Sequence, residues 1–224
     1  MPQELIIVGD GETAQLACEY FTHDSDMRVA GFAVEEKYRK TERLYDLPVV
    51  PLERVEQRFP PQDYLAFVAV SYTQLNRVRA RLYRQVKDKG YAFASYVSSR
   101  AFVWRTAHIG ENCFILENNV IQHGVVVEDN AFLWSGNHVG HQTRIRQDAY
   151  IASHAVISGF CDIGESCFVG VNATFNDKIR VARDCVIGSG AVVVRDTEPG
   201  KVYVGNPAKA LARSSYETFG VPTD

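Results

Sequence analysis

The chain has 224 residues, 46% hydrophobic and 23% charged, with a net charge of −3. That length and balance suit one large globular domain or two modest ones with a real core. They offer no basic field for nucleic acid or an anionic membrane, and no stretch approaches the roughly 20 apolar residues that span a bilayer. The start, MPQELIIVGDG, lacks a basic leader and a long enough apolar run for a signal peptide, so a soluble, cytoplasmic protein is expected. Five cysteines without a C-x-x-C pair give no support to a zinc ribbon or thioredoxin-type chemistry.

ELIIVGDGETAQLACEYF reads as a buried strand, a glycine turn and a helix, and GDGETA fits G-x-G-x-x-A at Gly9, Gly11 and Ala14. Such a turn presents backbone N–H groups at a helix N-terminus, which suits a phosphate. GFAVEE ends a second strand on Glu35 and Glu36, where a dinucleotide site would carry its acid. A further strand, YLAFVAV, leads through SYTQLN into a helix ending near Gly90, with Leu75, Val78, Leu82 and Val86 marking its core side. Arg77, Arg81 and Arg84 share another side, and a basic stripe of this kind is more often solvated than a binding site. This half is predicted to be a small Rossmann-like unit of three or four parallel strands, covering residues 1–100. It is too short for a full dinucleotide fold and suggests one nucleotide instead of NAD.

From Val103 to Val193, every sixth position is apolar, sixteen in succession. Neither a helix nor an ordinary strand has that period, whereas a short strand followed by a tight bend does. Three such flats close a triangular coil of 18 residues, and stacked coils share backbone hydrogen bonds about 4.8 Å apart. The residue two before each aliphatic also points inward, because strand side chains alternate. It is usually small, as at Ala107, Cys113, Ala131, Thr143, Ala149, Ala155, Ala173 and Ala191, and Cys161, Cys167 and Cys185 share its phase. Four of the five cysteines therefore read as reduced packing thiols. Asn119 and Asn137 fall in the same phase one coil apart, in place for an internal amide ladder. Period alone does not give the coil's hand.

The unbroken register, with glycine after the aliphatic at Ile109, Ile163 and Ile187, resembles the hexapeptide-repeat acyltransferases. That resemblance implies a left-handed parallel β-helix over residues 101–224, including a C-terminal loop and tail. Both halves together resemble the nucleotide-sugar acetyltransferases of the sialic-acid O-acetyltransferase, bacillosamine and perosamine group. The likeness rests on GDGETA, FVAVSYTQLNRVRARLY, the repeat, and the terminating VYVGNPAKAL at 202–211. It implies transfer of an acetyl group from acetyl-CoA to a nucleotide-linked sugar, often the amine of a 4-amino-4,6-dideoxy sugar. It further implies a homotrimer with sites between neighbouring β-helices, and no metal. Transfer to a sugar hydroxyl is the alternative within the same class.

The family's histidine base lies in a V-x-H-x-x-x-I context, matched here by Val139, His141 and Ile145. His141 falls two residues past an inward position, at a corner, with His123 one coil before it and Gly159 one coil after. The expected roles are general base for His141 and oxyanion donor for the Gly159 N–H, without an acyl-enzyme. Gln142 stands where the family usually has an acid. A neutral amide can orient the ring but cannot stabilise imidazolium as a charge would. His138 faces outward, either lining the sugar pocket or lying passively on the surface. By resemblance, Tyr150, Val171 and Ser189 (with Gly159) fall on acetyl-CoA contacts, and Gly11, Glu12, Thr13, Ser71 and Tyr72 on nucleotide-sugar contacts. Two rivals remain open at this point. One is a metal hydrolyase using His123, His138 and His141, although that spacing converges poorly; the other is a non-catalytic β-helix scaffold.

Overall fold

The computed structural model describes residues 3–222, leaving Met1 and Pro2 of the expected leaderless start outside the described residues. The first unit contains β1 (Glu4–Val8), β2 (Arg28–Val34), β3 (Arg43–Leu44), β4 (Leu47–Pro51) and β5 (Leu65–Val68) in the order β3-β4-β2-β1-β5. β1, β2, β4 and β5 run parallel, and β3 is an antiparallel edge on β4. A parallel sheet is covered on both faces and so needs continuous apolar strands. Leu5, Ile6, Ile7 and Val8 are accordingly all buried. Helix α1 (Glu12–His23) covers one face through Ala14, Ala17 and Phe21, and α2 (Arg77–Asp88) covers the other through Leu82 and Val86.

The chain then enters a left-handed β-helix, a triangular prism whose first strand is Tyr96–Val97, four residues ahead of the expected division at 100. Two-residue strands recur every six residues up to Val192–Val193, each pairing in parallel with the strand 18 residues away, as Val120 does with His138. All sixteen apolar positions face the interior, with Ile115 through Phe175 fully buried and only the first two, Val103 and Ile109, partly open. The four in-phase cysteines are free thiols inside the same core, and burial pushes the Cys113 thiol up to about 12.

The bends explain the period. From Asn112 onward a left-handed residue closes each turn, as at Asn112, Asn118, Asn130, Gln142, Asp148 and His154, with glycine at 124, 136 and 190. Asn, Asp and Gly tolerate that conformation best. The amide ladder runs along one such corner and not through the interior. Asn112 Nδ2 donates to Asn130 Oδ1 at 2.7 Å, and Asn130 Nδ2 donates to Asp148 Oδ1 at 2.6 Å. Asn119 and Asn137 do not bond each other. Asn119 Nδ2 donates to the carbonyls of Leu116 at 2.8 Å in its own turn and Trp134 at 2.9 Å on the next coil, and Asn137 Nδ2 donates to the Trp134 carbonyl three residues before it.

Although the three outer faces share this backbone, they differ in chemistry. One carries Tyr96, Phe114, Phe132, Tyr150 and Phe168 in register and lies under the first unit, with Phe67 stacked on Phe132 at 5.9 Å. The second carries His108, Val126, Arg144, Asp162 and Arg180, and is laced by ion pairs such as Arg146–Asp162 at 2.8 Å. The third carries Phe102, Val120, His138, Val156, Thr174 and Val192, with Phe102 and Val156 open to solvent.

Past the last coil, strand Lys201–Val204 adds in parallel to Val186–Ile187, and Lys209–Ser214 returns antiparallel to it. Helix α3 (Ser215–Phe219) follows, started by a Ser214–Glu217 capping box. The predicted solvated stripe on α2 is partly engaged. Arg77 pairs with Asp184 of the prism and Arg81 with Glu35 at 2.8 Å, while Arg84 is exposed. No helix among the described residues is long and apolar enough to cross a membrane.

Candidate active site

The glycine turn sits at the carboxyl ends of β1, β2 and β5, where open α/β sheets bind ligands. Gly9 has φ +123°, and a Cβ there would lie 2.9 Å from the Ala69 carbonyl, so both conformation and space demand glycine. Gly11 is the N-cap of α1 with no side-chain cap, which leaves the first helix amides facing the turn. A cavity of about 350 Å³ opens above them, lined by Gly11, Glu12, Thr13, Glu35, Tyr38 and Ser71 among others. Donors at a helix start, an acid at the end of β2 and an aromatic rim suit a phosphorylated nucleoside.

A second cavity of about 640 Å³ shares Glu12, Thr13 and Ser71 with the first and runs on to the prism. Tyr72, Trp134, Tyr150, Phe168 and Val171 complete its wall. Tyr72 meets both Tyr150 and Phe168 edge-on at 5.0 Å, and Tyr150 stacks on Phe168 at 5.5 Å. Burial raises the pKa of the Tyr150 hydroxyl, which lies beside Trp134 on this wall. Val171 and Ser189 stack on adjacent coils at the next corner, both exposed, with the Gly190 amide donating to the Val171 carbonyl. The expected nucleotide-sugar residues and two of the expected cofactor residues, Tyr150 and Val171, are thus brought onto one continuous surface.

His141 lies elsewhere on the same protomer, one corner further around the coil and across the aliphatic face. Its ring points along the stack toward Gly159, where a Cβ would come within 2.6–3.0 Å of the imidazole, so the absent side chain makes room for it. Phe160 packs edge-on at 5.0 Å, and the His141 amide is held by Gln122 Oε1 at 3.0 Å. Gln142, in the left-handed corner conformation, turns the other way and lies against Gly124. The Gly159 N–H is already engaged, donating to Asp177 Oδ1 at 2.9 Å. His138 is on the aliphatic face and lines neither cavity. His123 bonds Thr106 Oγ1 at 2.7 Å through Nδ1. Among the described residues no trio of His, Cys, Asp or Glu is placed to hold a metal, and the three histidines of the hydrolyase reading do not converge within one protomer.

Sequence reasoning missed Asp177 and Arg79. Asp177 had a findable signal, since it continues the 18-residue column His123, His141, Gly159. Arg79 had none, being a charged residue on the buried side of α2.

The bacterial transferase hexapeptide family matches residues 106–141, and the hexapeptide repeat of succinyl-transferase matches residues 162–195. Among solved structures, the acetyltransferase domain of PglB from Neisseria gonorrhoeae FA1090 is 24% identical and covers 93% of this chain and 100% of that one, with a TM-score of 0.81. A mutant of perosamine N-acetyltransferase from Caulobacter crescentus, in complex with CoA and GDP-perosamine, is 24% identical over 94% and 97% of the two chains, with a TM-score of 0.82. WeeI from Acinetobacter baumannii AYE is 18% identical over 93% and 100%, with a TM-score of 0.66. These likenesses run through both units, and the chain has the fold they share: a small parallel α/β unit joined to a left-handed β-helix of hexapeptide repeats.

Proposed function

We propose that the protein is an acetyltransferase that moves the acetyl group of acetyl-CoA onto the amine of a nucleotide-linked amino sugar. The observation that carries this reading is the continuity of the two cavities. The pocket at the α1 N-terminus takes the nucleotide, and the aromatic cavity beyond it leads toward the corner of Val171 and Ser189. Mostly apolar walls suit a deoxygenated sugar better than a fully hydroxylated one. The solved likeness holding both CoA and GDP-perosamine covers both units and supports the same pairing.

His141 acts as general base. It accepts the proton from the sugar amine as the nitrogen attacks the thioester carbonyl, and the C–S bond breaks to release CoA, whose thiolate takes that proton from His141. The Gly159 amide holds the developing oxyanion once the Asp177 carboxylate gives way. Because His141 lies across the aliphatic face from its own protomer's cavities, the working site joins one protomer's cavities to a neighbour's histidine corner. The open aliphatic face supports contact between copies of the chain, and we read that assembly as the homotrimer that the resemblance implies. We place the reaction in the cytoplasm, where acetyl-CoA is made.

The test is incubation of the purified protein with acetyl-CoA and UDP-, dTDP- and GDP-linked 4-amino-4,6-dideoxy sugars, with mass spectrometry of the products. Acetylation of one of them is expected. Tight CoA binding without acetylation of any would favour a binding scaffold.

A further inference from the structure

Between the nucleotide pocket and the prism lies a buried polar joint that the proposed reaction does not use. At its centre is Arg79 of α2, with 0% exposure. Its guanidinium donates to the carbonyls of Ser71 at 3.2 Å, Asn130 at 3.3 Å, Asp148 at 2.8 Å and Ala149 at 3.3 Å, and to Asn76 Oδ1 at 3.1 Å. It lies 4.3 Å over the Phe132 ring. One planar fork therefore ties the loop that begins at Ser71 to two successive coils of the prism. Asn76 repeats the tie one coil further on, its Nδ2 donating to the carbonyls of Ser166 at 3.1 Å and Cys167 at 3.3 Å. Leu75 packs between them against Val186 and Val202.

The backbone held by this joint is unusual. Gln74, Leu75 and Asn76 have φ of +51°, +49° and +65°, three successive non-glycine residues in the left-handed region. Residues with a Cβ are disfavoured there, and such a run persists only where its surroundings hold it. The loop so held presents Ser71 and Tyr72 to the cavities, while the prism segment grasped by Arg79 leads directly into Tyr150. Adhesion alone does not account for the joint. The same two units already meet through the apolar ring contacts of Phe67, Phe114 and Phe132, which need no buried charge to hold them. What a fixed fork of donors adds over a greasy contact is direction.

We infer that Arg79 and Asn76 are positioning residues that set the nucleotide-holding loop in register with the prism, and so fix the acceptor sugar relative to the transfer corner. This rests on the proposed acetyl transfer. The joint acts only through Ser71 and Tyr72 and touches neither substrate.

The test uses full-length protein and the variants Asn76→Gly, Arg79→Lys and Arg79→Met. Asn76→Gly is chosen to fold, since glycine takes the left-handed conformation freely while losing both tethers. Binding of UDP, dTDP, GDP and CoA is measured by calorimetry, and hydrogen exchange of residues 70–76 is followed in parallel. In Asn76→Gly, exchange of that loop is expected to quicken. The Kd of the nucleotide that binds wild type, and the KM of its amino sugar, should rise about tenfold, a change worth 1.4 kcal/mol. CoA affinity should stay within about twofold of wild type, well under that change. Arg79→Lys, which keeps the charge and some donors, should recover part of what Arg79→Met loses. Two results would overturn the inference: unchanged nucleotide affinity in a folded Asn76→Gly or Arg79→Lys, or parallel weakening of CoA and nucleotide with a lowered melting temperature. Failure of wild type to bind any of the nucleotides would appear before any variant is made. It would remove the proposed function and this inference together.

Discussion

The aromatic and aliphatic faces of the prism are built on the same two-residue strands, with the same buried aliphatics behind them. They meet opposite fates. Phe114 and Phe132 are 1% exposed beneath the first unit, whereas Phe102 is 52% and Val156 43% exposed on the neighbouring face. The inward phase of a hexapeptide repeat decides that a coil forms, and the outward phase decides what covers it. Flat aromatic columns suit a fixed intramolecular cover because ring packs on ring, as Phe67 does on Phe132. The column of Phe102, Val120, His138, Val156, Thr174 and Val192 has no such cover from its own chain, and suits the proposed contact with another copy.

That contrast is most strongly tested by Val156→Glu. A carboxylate in the middle of the aliphatic face should leave a 25.1 kDa protomer where the proposed wild-type trimer is expected by light scattering, and turnover should vanish with the proposed shared site. A stable, fully active monomer would remove the reason for that face. Next comes His141→Asn at the edge of the same face. General-base catalysis is typically worth about 10² to 10⁴ in rate, so kcat should fall by that order while calorimetry still finds CoA bound. Near-normal turnover would take the base away from His141.

Phe114→Ala probes the covered face. It removes a ring that contacts Tyr20, Phe67, Tyr96 and Phe132, and should destabilise the fold by about 3–5 kcal/mol in urea unfolding. Val156→Ala, on the open face, should cost the dissociated protomer no more than about 0.5 kcal/mol. Similar losses for both would mean that the two faces are not covered differently. The smallest effect is expected inside the coil. Cys161→Ala keeps a small side chain in a small-residue phase and should retain most of its turnover; loss of activity in a folded assembly would mean that the thiol does more than pack.

Much of the prism was legible in the sequence because its period is short and each repeat is stabilised locally. One side-chain volume recurs every six residues, and no distant partner is needed to read it. The glycine turn was legible as a short G-x-G-x-x-A motif, although the close approach that demands Gly9 comes from Ala69, far along the chain. Two features were not. Asn119 and Asn137 had the spacing of a ladder, but each found a carbonyl within its own turn, and the ladder formed instead at the corner of Asn112, Asn130 and Asp148. Arg79 sits beside three arginines that do share a helix side, and its acceptors lie up to 70 residues away. No local pattern encodes a buried guanidinium whose partners are mostly main-chain carbonyls. The histidine corner was legible as a column, yet in the proposed assembly the cavity it serves belongs to a neighbouring protomer, which no single-chain pattern encodes.

The hairpin after the last coil has a consequence for life in a crowded solution. Every rung of a parallel coil is a ready template for the next, and an unfinished stack could accept the first rung of another molecule and polymerise end to end. Here the final rungs are stoppered. Arg180 N–H donates to Asp196 Oδ1 and Ala182 N–H to Thr197 Oγ1, the Val192 N–H and carbonyl are taken by Gly205 and Ala208, and Lys209–Ser214 runs antiparallel across the last parallel strand. A chain cut back to Val193 would keep its whole repeat and lose its protection against fibre growth.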